Sequence, residues 1–183
     1  MGKMEQLRLL DTMRIPPLSP KQMELKVVDV VTACKLNAQW HSRLPIIDWS
    51  NVVRNPDYIC YGALYLNEWY AIAIWSSPVA QNRFNNPLEI LELRRLAIPP
   101  DAPKYTATWI LGKMVKDVRK RLPHISRLIS YQDTEVHIGI IYKAGNWQPI
   151  NKSKGILWTT DKRQRNIEQT RADKIRWEYL VKK

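Results

Sequence analysis

Glycine is scarce in this chain, six residues in 183, and nowhere do they gather into a loop that could cradle a phosphate. A Walker loop and a dinucleotide-binding fingerprint are both excluded. Cysteine is scarcer still. Cys34 and Cys60 are too few and too isolated for a disulfide framework, which points to reduced thiols and a cytoplasmic setting. With only three histidines beside them, no spacing fits a structural zinc site, and no metal is expected. No apolar run approaches a bilayer span, the first residues lack a signal-peptide core, and Gln6 stands where a myristoylation signal at Gly2 needs Ser or Thr. The expectation is a soluble protein with no membrane partner. No nucleophile elbow appears, which argues against a serine hydrolase. Acidic residues are also in short supply, 17 against 29 Lys and Arg, for a net charge of +12. Such an excess predicts attraction to polyanions, with a merely basic soluble protein as the alternative.

What is present argues for a folded globule: 45% apolar residues and eight tryptophans. Residues 1–20 read as an N-terminal extension, with a short helix up to Arg14 and a stiff connector, Ile15-Pro16-Pro17-Leu18-Ser19-Pro20. One domain is expected over 21–183, with a basic segment from about 151. A first strand covers Leu25 to Val28. Asp29 then caps a helix through Val30, Val31, Cys34 and Leu36 towards Trp40, ending near His41. Residues 46–56 read as loop. Tyr58 to Leu66 and Trp69 to Ser76 form a hairpin around Asn67-Glu68. Pro78 to Pro87 is a polar loop, and its Arg83 is a candidate contact to a nucleotide.

The chain is organised around Leu91 to Ile150, which alternates strand, helix, strand, helix, strand. Glu89 to Ile98 is apolar and extended, and Pro99-Pro100 stops it. From about Lys104 to Leu122 a helix buries Ile110, Leu111, Met114, Val115, Val118 and Leu122 at three- and four-residue spacing. A short strand spans Leu128 to Tyr131, a second helix Thr134 to Ala144, and Trp147 opens another extended run. This alternation implies parallel strands with crossover helices, whose ligands bind at the carboxyl ends of the strands. The start of the first helix offers free backbone N–H groups and the positive end of its dipole, suited to a phosphate. Capping of an ordinary surface helix by Asp101 or Thr106 is the alternative.

After Ile150 the chemistry shifts. Asn151 to Lys183 carries ten basic residues against four acidic. Gly155 to Thr159 reads as a strand and Lys174 to Val181 as the last one. Between them lies a polar arm whose Lys162, Arg163 and Arg165 suit nucleic-acid phosphates. A solvated charged hairpin is the alternative reading.

Gly139-Ile140-Ile141-Tyr142-Lys143-Ala144-Gly145-Asn146-Trp147 resembles the end of motif B in GNAT acyltransferases. In that superfamily this order of elements binds acyl-coenzyme A between two splayed strands. The superfamily's glycine-rich pyrophosphate loop is replaced here by Pro100-Asp101-Ala102-Pro103-Lys104-Tyr105-Thr106-Ala107. Small Thr106 and Ala107 still let the backbone approach a phosphate, with less room than glycine gives. A narrower resemblance runs through Leu91-Glu92-Leu93-Arg94-Arg95, then Ser130-Tyr131-Gln132-Asp133, then Gly139 to Asn146. It is to the phage Mom family of DNA-modification proteins, a divergent GNAT branch acting on the exocyclic amine of adenine. Trp40-His41-Ser42 is similar to that family's histidine segment, and the last thirty residues show no likeness.

The resemblance implies an α/β (α+β) GNAT-like fold, a mixed, splayed sheet flanked by helices. It also implies a donor that is acetyl-CoA or a related acyl-CoA, an acceptor in nucleic acid (DNA first), and a location in the host cytoplasm if the chain is phage-encoded. By the same resemblance Arg95, Ser130, Asp133 and Tyr142 line the reaction centre, with His41 approaching from the first helix. The donor lies along Leu96, Ala97, Ile98, Lys104, Tyr105, Thr106 and Ala107. A GNAT enzyme acting on protein, RNA or a small amine stays open, as does a binding module that kept the fold and lost catalysis.

Overall fold

The computed structural model describes residues 15–41, 46–155 and 172–181. Among these residues seven strands form one sheet: β1 (Glu24–Val27), β2 (Tyr58–Tyr65), β3 (Glu68–Ser76), β4 (Ile90–Ala97), β5 (Arg127–Asp133), β6 (Gln148–Ser153) and β7 (Lys174–Leu180). Their order is β1-β2-β3-β4-β5-β7-β6. Among these pairs β4 and β5 alone run parallel, from Ile90 opposite Arg127 to Leu93 opposite Ser130. The sheet is thus mixed rather than a run of parallel crossovers. The strand after Trp147 does not return beside β5, because β7 inserts antiparallel between β5 and β6.

Past Leu93 and Ser130 the two parallel strands part. β4 stays paired with β3 as far as Ala97, and β5 with β7 as far as Asp133. The splay therefore follows from each strand holding to its outer neighbour. In β4 the register slips between Ile74–Arg95 and Trp75–Leu93, so Arg94 is an extra residue, a β-bulge. The β2–β3 hairpin closes through Leu66 and Asn67, both at positive φ (46° and 62°), the primed turn that matches strand twist.

Helix α1 (Val30–Trp40) and the short α2 (Trp49–Val53) pack on one face. Ala33, Cys34 and Val52 meet Ile72 and Ile74 there. The opposite face takes α3 (Thr106–Arg121) and α4 (Ile140–Ala144). There Ile110, Leu111, Met114, Val115 and Val118 bury against Ala73, Trp75, Leu91 and Leu128. Each such side chain contributes on the order of 1.5–3 kcal/mol by leaving water. Asp29 caps α1 by accepting the Thr32 N–H at 2.8 Å, as its sequence position suggests.

Three local expectations give way. Residues 46–56 contain α2, because Asp48 accepts the Ser50 N–H at 3.0 Å and starts a helix in what reads as loop. Neither Asp101 nor Thr106 caps α3. Tyr105 holds the N-cap position in the left-handed region, and the Thr106 hydroxyl instead donates to Pro103 O at 2.7 Å. The second helix begins at Ile140, not Thr134, since side chains capture the backbone ahead of it. Asp133 Oδ1 accepts the Glu135 N–H at 3.0 Å, and the Gln132 amide donates to His137 O. Gly139 then turns at φ 74°. The N-terminal helix, the strand after Gly155 and the basic arm lie outside the described residues. No helix among the described residues is long and apolar enough to cross a membrane.

Candidate active site

The parting of β4 and β5 opens a cavity of about 690 Å³ at their carboxyl ends. Of the residues singled out in the sequence, His41, Arg95, Leu96, Ala97, Ile98, Ala107, Ser130, Asp133 and Tyr142 line it together. Lys104 and Tyr105 do not: both lie on the exposed turn before α3, where Tyr105 is 80% exposed. Thr106 is buried and turned towards Pro103. Arg83 lines a separate cleft. Lys162, Arg163 and Arg165 lie outside the described residues.

At the floor, Ser130 Oγ and Tyr142 OH share a hydrogen bond of 2.8 Å. Leu93 and Ser130 are partners at the last step before the strands separate, so Ser130 faces the same side as α4. Tyr142 stacks on Trp177 (ring centroids 5.3 Å apart, interplanar angle 16°) and meets Trp147 edge-on at 5.7 Å. Burial pushes its phenol pKa up, with the Ser130 contact opposing, so the hydroxyl keeps its proton at neutral pH. The Trp177 indole N–H donates to Gln132 Oε1 at 2.7 Å, and the Gln132 amide donates to His137 O. A Cβ on Gly139 would come within 2.7 Å of both Gln132 Oε1 and the Trp177 ring. Glycine is thus required here both for its φ and for the space.

The face carrying α1 contributes the charged groups. Ile74 pairs with Arg95 and packs against α1, placing Arg95 on that side. Arg94, displaced by the bulge, reaches Ser76 Oγ at 3.1 Å. Its neighbour Glu92, nearly buried, accepts the Val79 N–H at 3.0 Å, and desolvation raises its pKa. His41 closes α1, its backbone N–H donating to Asn37 O at 2.9 Å. Burial first, then the charges of Arg95 and His137, hold its imidazole pKa below the ordinary value. At neutral pH the ring is uncharged, and its buried Nδ1 has no hydrogen-bond partner among the described residues. Asp133 Oδ1 is engaged by Glu135 N–H, which leaves its second oxygen able to accept a further donor.

Sequence reasoning missed Trp40, Arg94, Gln132, His137 and Lys174 as lining residues. Strict alternation would send Arg94 to the face opposite Arg95, and the bulge that brings both to one cavity leaves no mark in local pattern. His137 falls in the part of the expected Thr134 to Ala144 helix that stays non-helical, ahead of Ile140. Lys174 comes from β7, 41 residues downstream of Asp133 in the chain and opposite it in register.

The apolar wall from Leu96 to Ile98, with Ala107 and Ile141, fits the extended arm of an acyl-coenzyme A. The β4 edge released past Leu93 offers backbone groups to the arm's amides. The donor's phosphates have weaker provision, since no glycine-rich turn precedes α3 and Lys104 lies off the cavity wall.

The sequence profile of the Mom protein family matches residues 22–183. No curated protein sequence matches the chain. Solved N-acetyltransferases share the fold. The ribosomal-protein-S18-alanine N-acetyltransferase of Escherichia coli superposes with a TM-score of 0.59 at 14% identity, over 87% of this chain and 94% of that one. An N-acetyltransferase from Staphylococcus aureus Mu50 gives 0.63 at 10% identity, over 87% and 97%. Spermidine N-acetyltransferase of Vibrio cholerae, solved with CoA and spermine, gives 0.62 at 10% identity, over 88% and 96%. At these identities the likeness shows the fold, a GNAT-like acetyltransferase fold, and no more.

Proposed function

The chain belongs to the Mom protein family, and from that premise we propose that it transfers a group from an acyl-CoA-type donor to the exocyclic amine of adenine in DNA. The observation that carries the reading is the constellation at the splay. A protonated Tyr142 is fixed by Ser130 at 2.8 Å, with a neutral His41 and the carboxylate of Asp133 lining the same cavity.

When bound, a donor of this class supplies the activated group as a thioester. The chain's own residues then divide the remaining work. Asp133, through the oxygen not engaged by Glu135, accepts a hydrogen bond from the amine and orients it. His41 takes the amine proton at Nδ1, the role its depressed pKa suits at neutral pH. Tyr142 OH gives a proton to the departing sulfur, which its raised pKa permits without prior ionisation. The amine of adenine is delocalised and a poor nucleophile, so positioning and exclusion of water by Leu96, Ile98 and Ile141 must supply much of the rate. A paired adenine must first leave the duplex, and the net charge of +12 suits a polyanionic substrate.

The cavity's charged lining supports this acceptor over a polyamine. Among the described residues Arg94, Arg95 and Lys174 face it against the one carboxylate of Asp133, a surface that repels a polycation. Nucleoside mass spectrometry of DNA from cells expressing the chain tests the proposal. A modified deoxyadenosine, absent when Tyr142 and Asp133 are both replaced, is expected. Unmodified DNA alongside acylated protein, RNA or polyamine would transfer the chemistry to a different acceptor.

A further inference from the structure

A second cleft, of about 340 Å³, lies at the amino ends of β4 and β5. Its walls include Arg83 from the turn after β3, Arg127 at the start of β5 and Arg176 on β7, with Phe84, Asn86 and Ser126 beside them. Among the described residues, two carboxylates lie beside these guanidiniums. Glu178 pairs with Arg176 Nε at 3.0 Å and with Arg127 at 3.6 Å, and Glu89 is held by the Ser126 hydroxyl at 3.0 Å. The Arg176–Glu178 contact lacks hydrogen-bond alignment: both buried atoms have no hydrogen-bond partner among the described residues. The Arg176 guanidinium also lies over the Phe84 ring, 5.4 Å from its centroid, which fixes its plane. The Arg176 guanidinium, held over Phe84 and lining one cleft with those of Arg83 and Arg127, makes a receptor suited to an oxyanion.

The two cavities share one face of the sheet. Lys174 lines the first and Arg176 the second, two residues apart on β7 and therefore on the same side, roughly 6.8 Å apart. Tyr131, opposite Arg176, stands between them. We propose that this second cleft is a phosphate subsite for the nucleic-acid strand whose reacting nucleotide occupies the first cavity. The proposal rests on the nucleic-acid reading above and adds the path of the strand: from the splay, across Tyr131, to Arg83, Arg127 and Arg176.

The test uses the full chain, a labelled single-stranded oligodeoxynucleotide and fluorescence anisotropy. Arg83→Gln with Arg127→Gln is expected to weaken binding at least tenfold at low salt, at near-parent melting temperature. Losing one phosphate contact lowers the log–log salt slope by about 0.7. Methylphosphonate placed at successive linkages should weaken the parent most at one position, and the double variant should be indifferent there. Parent affinity and slope in the double variant would overturn the subsite while leaving the nucleic-acid reading intact. A parent that binds no oligonucleotide overturns both. If the variant keeps oligonucleotide binding but loses its thermal response to coenzyme A, the cleft holds the donor's phosphate and the proposal falls.

Discussion

Ser130 Oγ lies 2.8 Å from Tyr142 OH, and that one hydrogen bond joins the last paired step of the parallel strands to the helix beyond the splay. It is buried, so each hydroxyl satisfies the other and neither depends on water. The contact has two consequences that separate under mutation, one for stability and one for chemistry.

Tyr142→Phe keeps the stacking on Trp177 and Trp147 and removes the hydroxyl alone. It strands Ser130, at a cost of about 1–3 kcal/mol. Ser130→Ala strands Tyr142 in the same way. The double variant removes both partners, and its melting temperature should recover relative to either single. Modified-nucleoside yield should not recover, and Tyr142→Phe should lie 10²–10⁴-fold below the parent on its own. Recovery of activity in the double variant would show that the pair serves packing only.

The pH profile follows from two opposite shifts. His41 sits below its ordinary value through burial and the charges of Arg95 and His137, and Tyr142 sits above its own through burial. The rate should hold from below pH 6.5 to above pH 10, wider than the ordinary values of these groups would allow. Stability carries the same sign. The unfolded chain binds a proton at His41 that the folded one resists, so the contribution is complete above pH 6.5 and is lost as pH falls through the lower folded value. His41→Gln should flatten that acid-side decline in melting temperature. An acid limb of the rate lying above pH 6.5 would remove His41 as the base.

Where the sequence was legible, the determinants were local. The stripe from Ile110 to Val118 sits at helical spacing and is the buried face of α3. Asn67 accepts the left-handed backbone its hairpin needs. Where it was not, a distant partner or a captured carbonyl decided the outcome. Thr134, Val136 and Ile138 are β-branched and favour a helix little, and Gln132 and Asp133 take backbone groups that a helix would use. The intrusion of β7 between β5 and β6 depends on pairings such as Ser130 with Trp177, which no local window contains. The candidate site shows the same division. His41, Arg95, Ser130, Asp133 and Tyr142 stood in motifs, whereas Arg94 needed a bulge and Lys174 a long-range strand.

Two glycines offer an internal comparison. At Gly139, alanine meets a positive φ and two contacts at 2.7 Å, with Gln132 and Trp177. Strain of this kind costs about 1–3 kcal/mol, or roughly 2–12 °C in melting temperature for a chain of this size. Activity should fall further, because Trp177 carries the Tyr142 ring. At Gly112, within α3, an added Cβ meets nothing within 4 Å, and alanine should stabilise by about 0.5–1 kcal/mol. Thermal melts of the two variants against the parent check both signs.

Asp133 allows turn-holding and chemistry to be told apart. Its Oδ1 accepts the Glu135 N–H at 3.0 Å, closing a turn at the end of β5 rather than capping a helix. Asparagine places a carbonyl oxygen in the same position, so Asp133→Asn preserves the turn and should melt close to the parent. What it removes is the negative charge that lines the cavity with Arg95 and Lys174. Asp133→Ala removes both, and loss of the turn bond should lower stability by about 1 kcal/mol. If the carboxylate acts on the acceptor, the Asn variant is stable and its modified-nucleoside yield drops 10²–10⁴-fold. If it only holds the loop, the Asn variant works at the parent rate and only the Ala variant suffers. The loop bears on both outcomes, because His137 N–H also donates to Asp133 O at 3.1 Å and Ile138, 74% exposed, stands at the cavity mouth. Limited proteolysis of the 134–139 segment reports the loop directly. Parent-like protection with lost modification in the Asn variant assigns the charge to the reaction, and parent-like modification removes Asp133 from it.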